Sequence, residues 1–486
     1  MRIPPAPSGS RISRAYERET VTLLRVIGAG LAGCEAAWQA AERGVAVELY
    51  EMRPATTGPA HKTARFAELV CSNSLRGASL ENAVGLLKEE LARLDSLIVT
   101  SARQAAVPAG GALAVDRDRF SELVETRLFA HPNVRVVREE VRSLDSGVPT
   151  IVACGPLPAQ PLSDAIDALL ARAATGSGGA GRARLHYYDA ASPIVATESL
   201  DLGCMYEKSR YDKGDGSDYL NIPLDREQYA GFVRDLRELP KHEPKEFEAD
   251  AAGGKAPYFE GCLPIEEMAA RGEDALRYGP LKPVGLRDPR TGAAPYAVVQ
   301  LRKENVAGTA YNLVGFQTRL TWPAQKEAFG KLPGLANAEW LRLGVMHRNS
   351  FVDAPRYLDS DLRLRGAGNV WFAGQITGAE GYVEAAACGA IAAISAARLL
   401  LGEPPVPVPS DTALGAVVAH LQNVATSDFQ PSNVSWAFFS PLPGKPIRDK
   451  RERRRALAER ALARLAAWHA SVAPRAEPAY GARTAG

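Results

Sequence analysis

The chain is short of cysteine, of net charge and of uninterrupted apolar runs, and each shortage removes a class of protein. Its 486 residues include six cysteines, at positions 34, 71, 154, 204, 262 and 388. None forms a Cys-x-x-Cys pair and the spacings are irregular. That argues against a disulfide framework, a zinc site and a dithiol electron relay, and for free thiols in a reducing compartment. No metal site is expected. Lys and Arg number 58 against 56 Asp and Glu, a net charge of +2. A nucleic-acid partner must therefore be met by a local basic patch and not by a global field. The first twenty residues are rich in Pro, Ser and Arg and lack the apolar stretch of a secretory signal, so 1–22 read as a disordered leader. The most apolar window, Ala385 to Leu401, is broken by Ser395 and Arg398 and falls short of a membrane span. The expectation is a cytoplasmic protein with no membrane contact.

What is present is an ordinary globular composition, 46% hydrophobic and 23% charged, in a chain long enough for two to four domains. Its most informative stretch is Val26-Ile27-Gly28-Ala29-Gly30-Leu31-Ala32-Gly33, followed eighteen positions later by Glu51. Leu23 to Ile27 read as a buried strand and Leu31 to Glu42 as a helix ended by Gly44. Val45, Val47 and Leu49 read as the next strand. In that setting the first glycine makes the strand-to-helix turn, the second lets a pyrophosphate approach the backbone, and the third packs helix on sheet. The helix N-terminus offers N–H groups to phosphate, and Glu51 can accept from a ribose hydroxyl. Gly28, Ala29, Gly30, Leu31, Ala32, Gly33 and Glu51 are thus the first cofactor-binding candidates. The segment Gly176-Ser177-Gly178-Gly179-Ala180-Gly181 has the same spelling. No strand leads into it and no helix follows, so it reads as a surface loop.

Further elements of the same sheet are spread along the chain. A helix around Asp118 to Phe129 precedes a β-rich run, Val134 to Val137, and Thr150 to Cys154 is a short apolar strand ending at Gly155. Asn369 to Gly374 is another buried strand, leading through Gln375-Ile376-Thr377-Gly378 into an Ala-rich helix from Val383 to Leu401. This last unit resembles the C-terminal FAD motif of flavoproteins, in which a helix N-terminus faces the pyrimidine edge of the flavin and stabilises negative charge there. It adds Gly374, Gln375, Gly381 and Tyr382 as candidates and makes FAD the expected cofactor rather than NAD. The fold expected is α/β: a discontinuous Rossmann-like FAD-binding domain (23–188 and 336–403) with an inserted α+β substrate domain (189–335). Pro404 to Pro409 reads as a stiff linker. Beyond it come a C-terminal helical segment (404–473), with a helix from about Asp449 to Trp468, and a disordered tail (474–486).

Several blocks together resemble one family, the folate- and FAD-dependent tRNA (uracil-5-)-methyltransferases, TrmFO, among the GidA-related flavoproteins. They are Val26 to Trp38, Leu49 to Pro54, Glu68 to Arg76, Ala112 to Phe120, Tyr258 to Glu266 and Gly279 to Leu286. Tyr311 to Thr318, His347 to Phe351 and Gly374 to Glu384 complete the set. Cys154 departs from the pattern, standing where threonine is usual. The resemblance implies a bacterial enzyme that takes a one-carbon unit from methylenetetrahydrofolate and reduces it through FAD recharged by NADPH or NADH. The unit is placed as methyl on C5 of the T-loop uridine of tRNA. Partners implied are the tRNA T arm and folate, with no obligate protein partner.

Such chemistry calls for two groups. Uracil C5 becomes nucleophilic only when a thiolate adds to C6, and a base must later remove the C5 proton. Cys71, among Ser72, Asn73, Ser74 and Arg76, and Cys262, in a Gly261-Cys262-Leu263-Pro264 loop, match the family's catalytic cysteines by motif. Cys262 is assigned the attack on C6 and Cys71 the role of base, and the roles can be exchanged. Cys34, Cys154, Cys204 and Cys388 read as structural. His347 and Arg348 either line the flavin or folate site or are structural; Tyr382 either stacks on flavin or pterin or only packs. Lys282 either meets the glutamate tail of folate or is solvated. Arg448, Lys450, Arg451, Arg453, Arg454 and Arg455 crowd the start of the last helix, where phosphates would offset their opposition to the helix dipole. Four other functions compete: the same chemistry on ribosomal RNA, a GidA-like wobble-uridine enzyme, a disulfide reductase, and a flavin-bound RNA chaperone without catalysis.

Overall fold

A computed structural model describes residues 22–144, 147–174, 184–190, 192–242, 263–344, 346–423, 429–444 and 447–473, with backbone alone for 174, 184–190 and 346–348. Cys262, the glycine loop at 176–181, the leader and the tail lie outside these residues.

The chain opens with the expected strand, Leu23–Ile27, then helix Leu31–Ala41 and strand Ala46–Tyr50. They belong to a five-stranded parallel sheet ordered Val370–Phe372, Thr150–Val152, Leu23–Ile27, Ala46–Tyr50, Val134–Val137. Strands buried on both faces must be apolar throughout; Leu24, Val26, Val47, Leu49, Ile151, Trp371 and Phe372 are almost fully buried. The second Gly-turned helix, Tyr382–Leu400, lies against Leu31–Ala41. Its small residues permit a close approach. A Cβ added to Gly389 would fall 2.2 Å from the Ala32 carbonyl oxygen. Among the described residues this is the single helix long and apolar enough to cross a membrane, and most of it is buried in the core.

A two-stranded antiparallel ribbon of Arg184–Ala190 and Met346–Val352 carries the chain out of the parallel sheet and back. Between its strands sits a six-stranded antiparallel sheet ordered Tyr206–Glu207, Tyr219–Leu224, Ala297–Lys303, Ala310–Leu313, Ile194–Ala196, Trp340–Arg342. Helix Arg226–Glu238 covers it, started by a capping box between Asp225 and Gln228. Beneath it Phe232 stacks on Phe316, which meets Phe329 edge-on, in a separate hydrophobic cluster.

The C-terminal helix runs from Lys450 to Val472, longer than its apolar stripe suggested. Its last carbonyls have partners from elsewhere: Arg398 Nη1 donates to Ser471 O at 3.0 Å and Arg43 Nε to Val472 O at 3.3 Å. Pro404 to Pro409 is a strap and not a spacer. Trp468 Nε1 donates to Val406 O and Arg398 Nε to Pro404 O, and the helix joins the same hydrophobic cluster as the parallel sheet.

Candidate active site

The glycine turn is built by exclusion. Gly28 has φ +100°, and a Cβ there would sit 2.6 Å from the Ala153 carbonyl oxygen; at Gly33 it would sit 1.8 Å from the Gly28 oxygen. Gly30 meets nothing within 4 Å. It is the N-cap of helix Leu31–Ala41 with no side-chain cap, so the first-turn N–H groups are left for a ligand. Open backbone at an uncapped helix start fits a pyrophosphate.

Gly374, φ +84°, brings the second glycine turn onto the first, since a Cβ on it would lie 2.8 Å from that of Ala32. The two turns share one cavity of about 1330 Å³, counting its open mouth. Gly28, Gly30, Leu31, Ala32, Glu51, Cys71, Gly374, Gln375 and Tyr382 are on its wall. That cradle, with open backbone at one end and a second glycine turn at the other, fits FAD. Ala29 and Gly33 stand behind the wall. Gly381 caps helix Tyr382–Leu400 at φ +110°, in a spot where a Cβ would meet Glu384 Oε2 at 2.4 Å.

Glu51 is more heavily engaged than its sequence position suggested. Its Oε2 accepts from Ala29 N–H and from Arg53 Nη2, and its Oε1 from Arg53 N–H and Nε, all at 2.9–3.0 Å. Burial pushes the carboxyl up, but the bonds and charge of Arg53 outweigh it and hold the group below its usual value. A ribose hydroxyl here meets oxygens that already take two N–H groups each, so Glu51 first braces the glycine turn. Arg53, only 1% exposed, had no assigned role. The signal available was an arginine two positions after the strand-end acid.

Cys71 lies on the cavity wall, half-buried. Tyr382 holds its backbone: the phenolic oxygen accepts from the N–H of Cys71 at 2.8 Å and of Ser72 at 3.1 Å. Burial and the neighbouring Cys71 raise the phenol, so it stays neutral. From the inserted sheet, Arg302 Nη2 donates to Ser72 Oγ at 2.7 Å and Nε to Asn73 Oδ1 at 2.9 Å, while Asn73 Nδ2 returns a bond to Lys303 O. Arg342 donates to Val70 O and Arg117 to Leu69 O. These anchors are far from Cys71 in sequence, and nothing in the local pattern marked them. Arg76 pairs with Glu384, in the first turn of the flavin-facing helix.

The other thiols are placed differently. Cys34 and Cys388 are fully buried, and burial pushes both up, Cys388 to about 11. Cys204 bonds Asp201. Cys154 is half-buried on the cavity wall. His347 and Arg348 fall on the return strand of the ribbon, with side chains outside the described atoms. Lys282 is exposed, as are Arg448, Lys450, Arg451, Arg453 and Arg455.

Two glycine turns on one cavity, with a parallel sheet behind and an inserted antiparallel sheet above, define an FAD-dependent flavoprotein. Comparisons with known proteins narrow the class. The family model described as glucose inhibited division protein A matches residues 24–404. The methylenetetrahydrofolate–tRNA-(uracil-5-)-methyltransferase TrmFO of Pelobacter propionicus is 54% identical, over 93% of this chain and 95% of its own length. The TrmFO of Anaeromyxobacter dehalogenans is 55% identical, over 95% and 99%. Among solved structures, Aquifex aeolicus GidA matches with a TM-score of 0.67 over 93% of this chain and 74% of its own. At 16% identity that likeness concerns the fold alone. The chain belongs to the TrmFO family of GidA-related flavoproteins.

Proposed function

We infer that the protein is a methylenetetrahydrofolate- and FAD-dependent methyltransferase acting on C5 of uridine in the T loop of tRNA, with NADPH or NADH as reductant. The observation that carries this reading is Cys71 on the wall of the double-glycine cavity, its backbone held by the first residue of the flavin-facing helix. A thiol there stands between the flavin-side cavity and the inserted sheet, whose Arg302 and Arg342 bond the flanking residues Ser72, Asn73 and Val70.

FAD supplies the electrons that turn a methylene into a methyl. The residues of the chain do the rest. Gly28, Gly30 and the first turn of Leu31–Ala41 would hold the pyrophosphate, with Gly33 packed behind them; Gly374 and Gln375 would line the passage toward the flavin ring. Cys262 is assigned the attack on C6 and Cys71 the removal of the C5 proton. A uridine inside a folded T loop must be splayed out to reach this cavity. The exposed cations Arg448, Lys450, Arg451, Arg453 and Arg455 offer phosphate contacts. Among the described residues the five cysteines are free, which suits a reducing, cytoplasmic setting.

The reading is tested by incubating the protein with unmodified tRNA, NADPH and carbon-labelled methylenetetrahydrofolate, then analysing nucleosides by mass spectrometry. Label is expected in 5-methyluridine. Label arriving from S-adenosylmethionine instead would overturn the assignment, and label confined to ribosomal RNA would redirect it.

A further inference from the structure

Three arginines and one acid meet beside the Cys71 loop. Arg117 Nε pairs with Glu304 Oε2 at 2.7 Å; Arg302 is held by the neutral side chains of Ser72 and Asn73; Arg342 donates to a backbone carbonyl. Three cations face one carboxylate. Arg302 is 6% exposed and Glu304 6%, so the excess charge is mostly out of water, an expensive arrangement unless an anion completes it. Donors are also left over. Arg342 Nε, Arg117 Nη2 and the Nδ2 of Asn312, itself 2% exposed, are buried without a hydrogen-bond partner, and the Glu304 carboxylate meets the cluster only through its ion pair with Arg117 Nε. Burial and the positive charge of Arg117 pull Arg342 below its usual pKa, while Cys71 and Tyr382 act on it in the opposite sense. Its guanidinium is tied to the carbonyl of Val70, the residue before Cys71.

The reaction produces an anion at this place. A base that takes the proton from C5 has the adjacent C4–O4 group of the same ring within a few ångströms. We propose that Arg342, backed by Arg117 and Asn312, holds the negative charge that develops on O4 of the uracil ring. The inference rests on Cys71 acting at C5, as proposed above.

The electrons balance as follows. When a thiolate adds to C6, the C5=C6 pair moves to C4–C5 and the C4=O4 π pair to O4. C5 then bonds to the donor methylene in its iminium form, whose C=N π pair goes to the carrier nitrogen, and O4 becomes a carbonyl again. When Cys71 accepts the C5 proton as S–H, the C–H pair re-forms the C4–C5 double bond and O4 is anionic a second time. Return of that pair forms an exocyclic C5=CH2 and expels the carrier nitrogen with its C–N pair. A hydride, which the FAD-dependent reaction would supply, adds to that CH2; the π pair re-forms C5=C6 and the thiolate leaves C6. A fixed cation at O4 lowers both barriers. Among the described residues, Cys71, Tyr219, Tyr382, Arg117, Arg302, Glu304 and Arg342 are ionisable groups around this point.

The test compares Arg342→Gln and Arg342→Lys with the wild type in the full chain. FAD content is measured by absorbance, methylation by kinetics with KM for tRNA and for folate, and adduct formation with RNA containing 5-fluorouracil. For Arg342→Gln we expect unchanged flavin, near-unchanged KM values, kcat lower by a hundredfold or more and slower adduct formation; the lysine variant should recover part of kcat. A rise in KM for tRNA alone would make Arg342 a phosphate contact, and a rise in KM for folate alone a contact for its carboxylates. Either result, lost flavin, or full activity in Arg342→Gln would overturn the inference. A wild type that transfers no folate carbon to uridine would instead overturn the function itself.

Discussion

The phenolic oxygen of Tyr382 accepts hydrogen bonds from the backbone N–H groups of Cys71 and Ser72, residues 311 and 310 positions away. One residue thus starts the flavin-facing helix and fixes the loop that carries the reactive thiol. Replacing the phenol by phenyl keeps ring packing but leaves two N–H groups without their acceptor, at a cost of about 1–3 kcal/mol. Tyr382→Phe should keep FAD and lose about tenfold or more in kcat for methylation. Wild-type turnover in this variant would mean that the ring only stacks or packs.

The glycines of the first turn should separate folding from cofactor binding. Gly30 has room for a methyl group on the protein side, so Gly30→Ala should fold with a melting temperature near that of the cofactor-free wild type. It should nonetheless bind FAD weakly, because the added carbon stands where the pyrophosphate approaches. Gly33→Ala should fail earlier, since its Cβ would overlap the Gly28 carbonyl. Reduced soluble yield or a melting temperature lowered by many degrees is expected. Equal flavin content in Gly30→Ala and wild type would refute the placement of the pyrophosphate.

Much of this was legible because its cause is local. Strand, turn and helix from Leu23 to Ala41 are written in apolar alternation and glycine spacing, and so are the strand at Val370–Phe372 and the helix after it. The supports of the site were not legible. Tyr382, Arg302 and Arg342 act across more than two hundred residues, and a periodicity reading sees only the element on which each sits. Glu51 shows the intermediate case: its place at the strand end follows from the motif, yet its capture by Arg53 depends on burial. The Pro404–Pro409 stretch misled for a related reason. Proline stiffness is local, whereas the bond from Trp468 to Val406 that turns the stretch into a strap is tertiary.

Glu90 gives a prediction about pH. Its buried carboxyl accepts from the N–H groups of Ala413 and Leu414 at the start of a C-terminal helix, Ala413–Leu421, and burial raises it to about 8. A carboxyl raised in the folded state binds its proton more tightly there than in the unfolded chain. Its contribution is therefore complete below the unfolded value and drains away as pH rises toward 8. Lys88, pulled down to about 7 by burial and Arg76, titrates in both proteins compared and largely cancels. The melting temperature of the wild type relative to Glu90→Gln should fall steadily between pH 5 and pH 8.5. A difference that grows with pH would contradict the buried, protonated acid.

The cysteines divide by place. Cys34→Ala and Cys388→Ala remove sulfurs from a dry core and should cost about 1–2 kcal/mol of stability with turnover kept. Cys71→Ala removes a group from the cavity wall and should leave fold and flavin intact while methylation falls by about a hundredfold or more; Cys262→Ala should fall further, as expected of a nucleophile. RNA containing 5-fluorouracil tells the two apart, because fluorine cannot leave C5 as a cation and the attacking sulfur stays bound to C6. The adduct, read as a mass increase on denaturing gels, should form in Cys71→Ala and be absent in Cys262→Ala. The reverse pattern would exchange the roles, making Cys71 the nucleophile at C6. Arg342 would then lie beside C6 instead of C4, too far from O4 to hold its charge, so this one gel also bears on the anion site proposed at Arg117, Asn312 and Arg342.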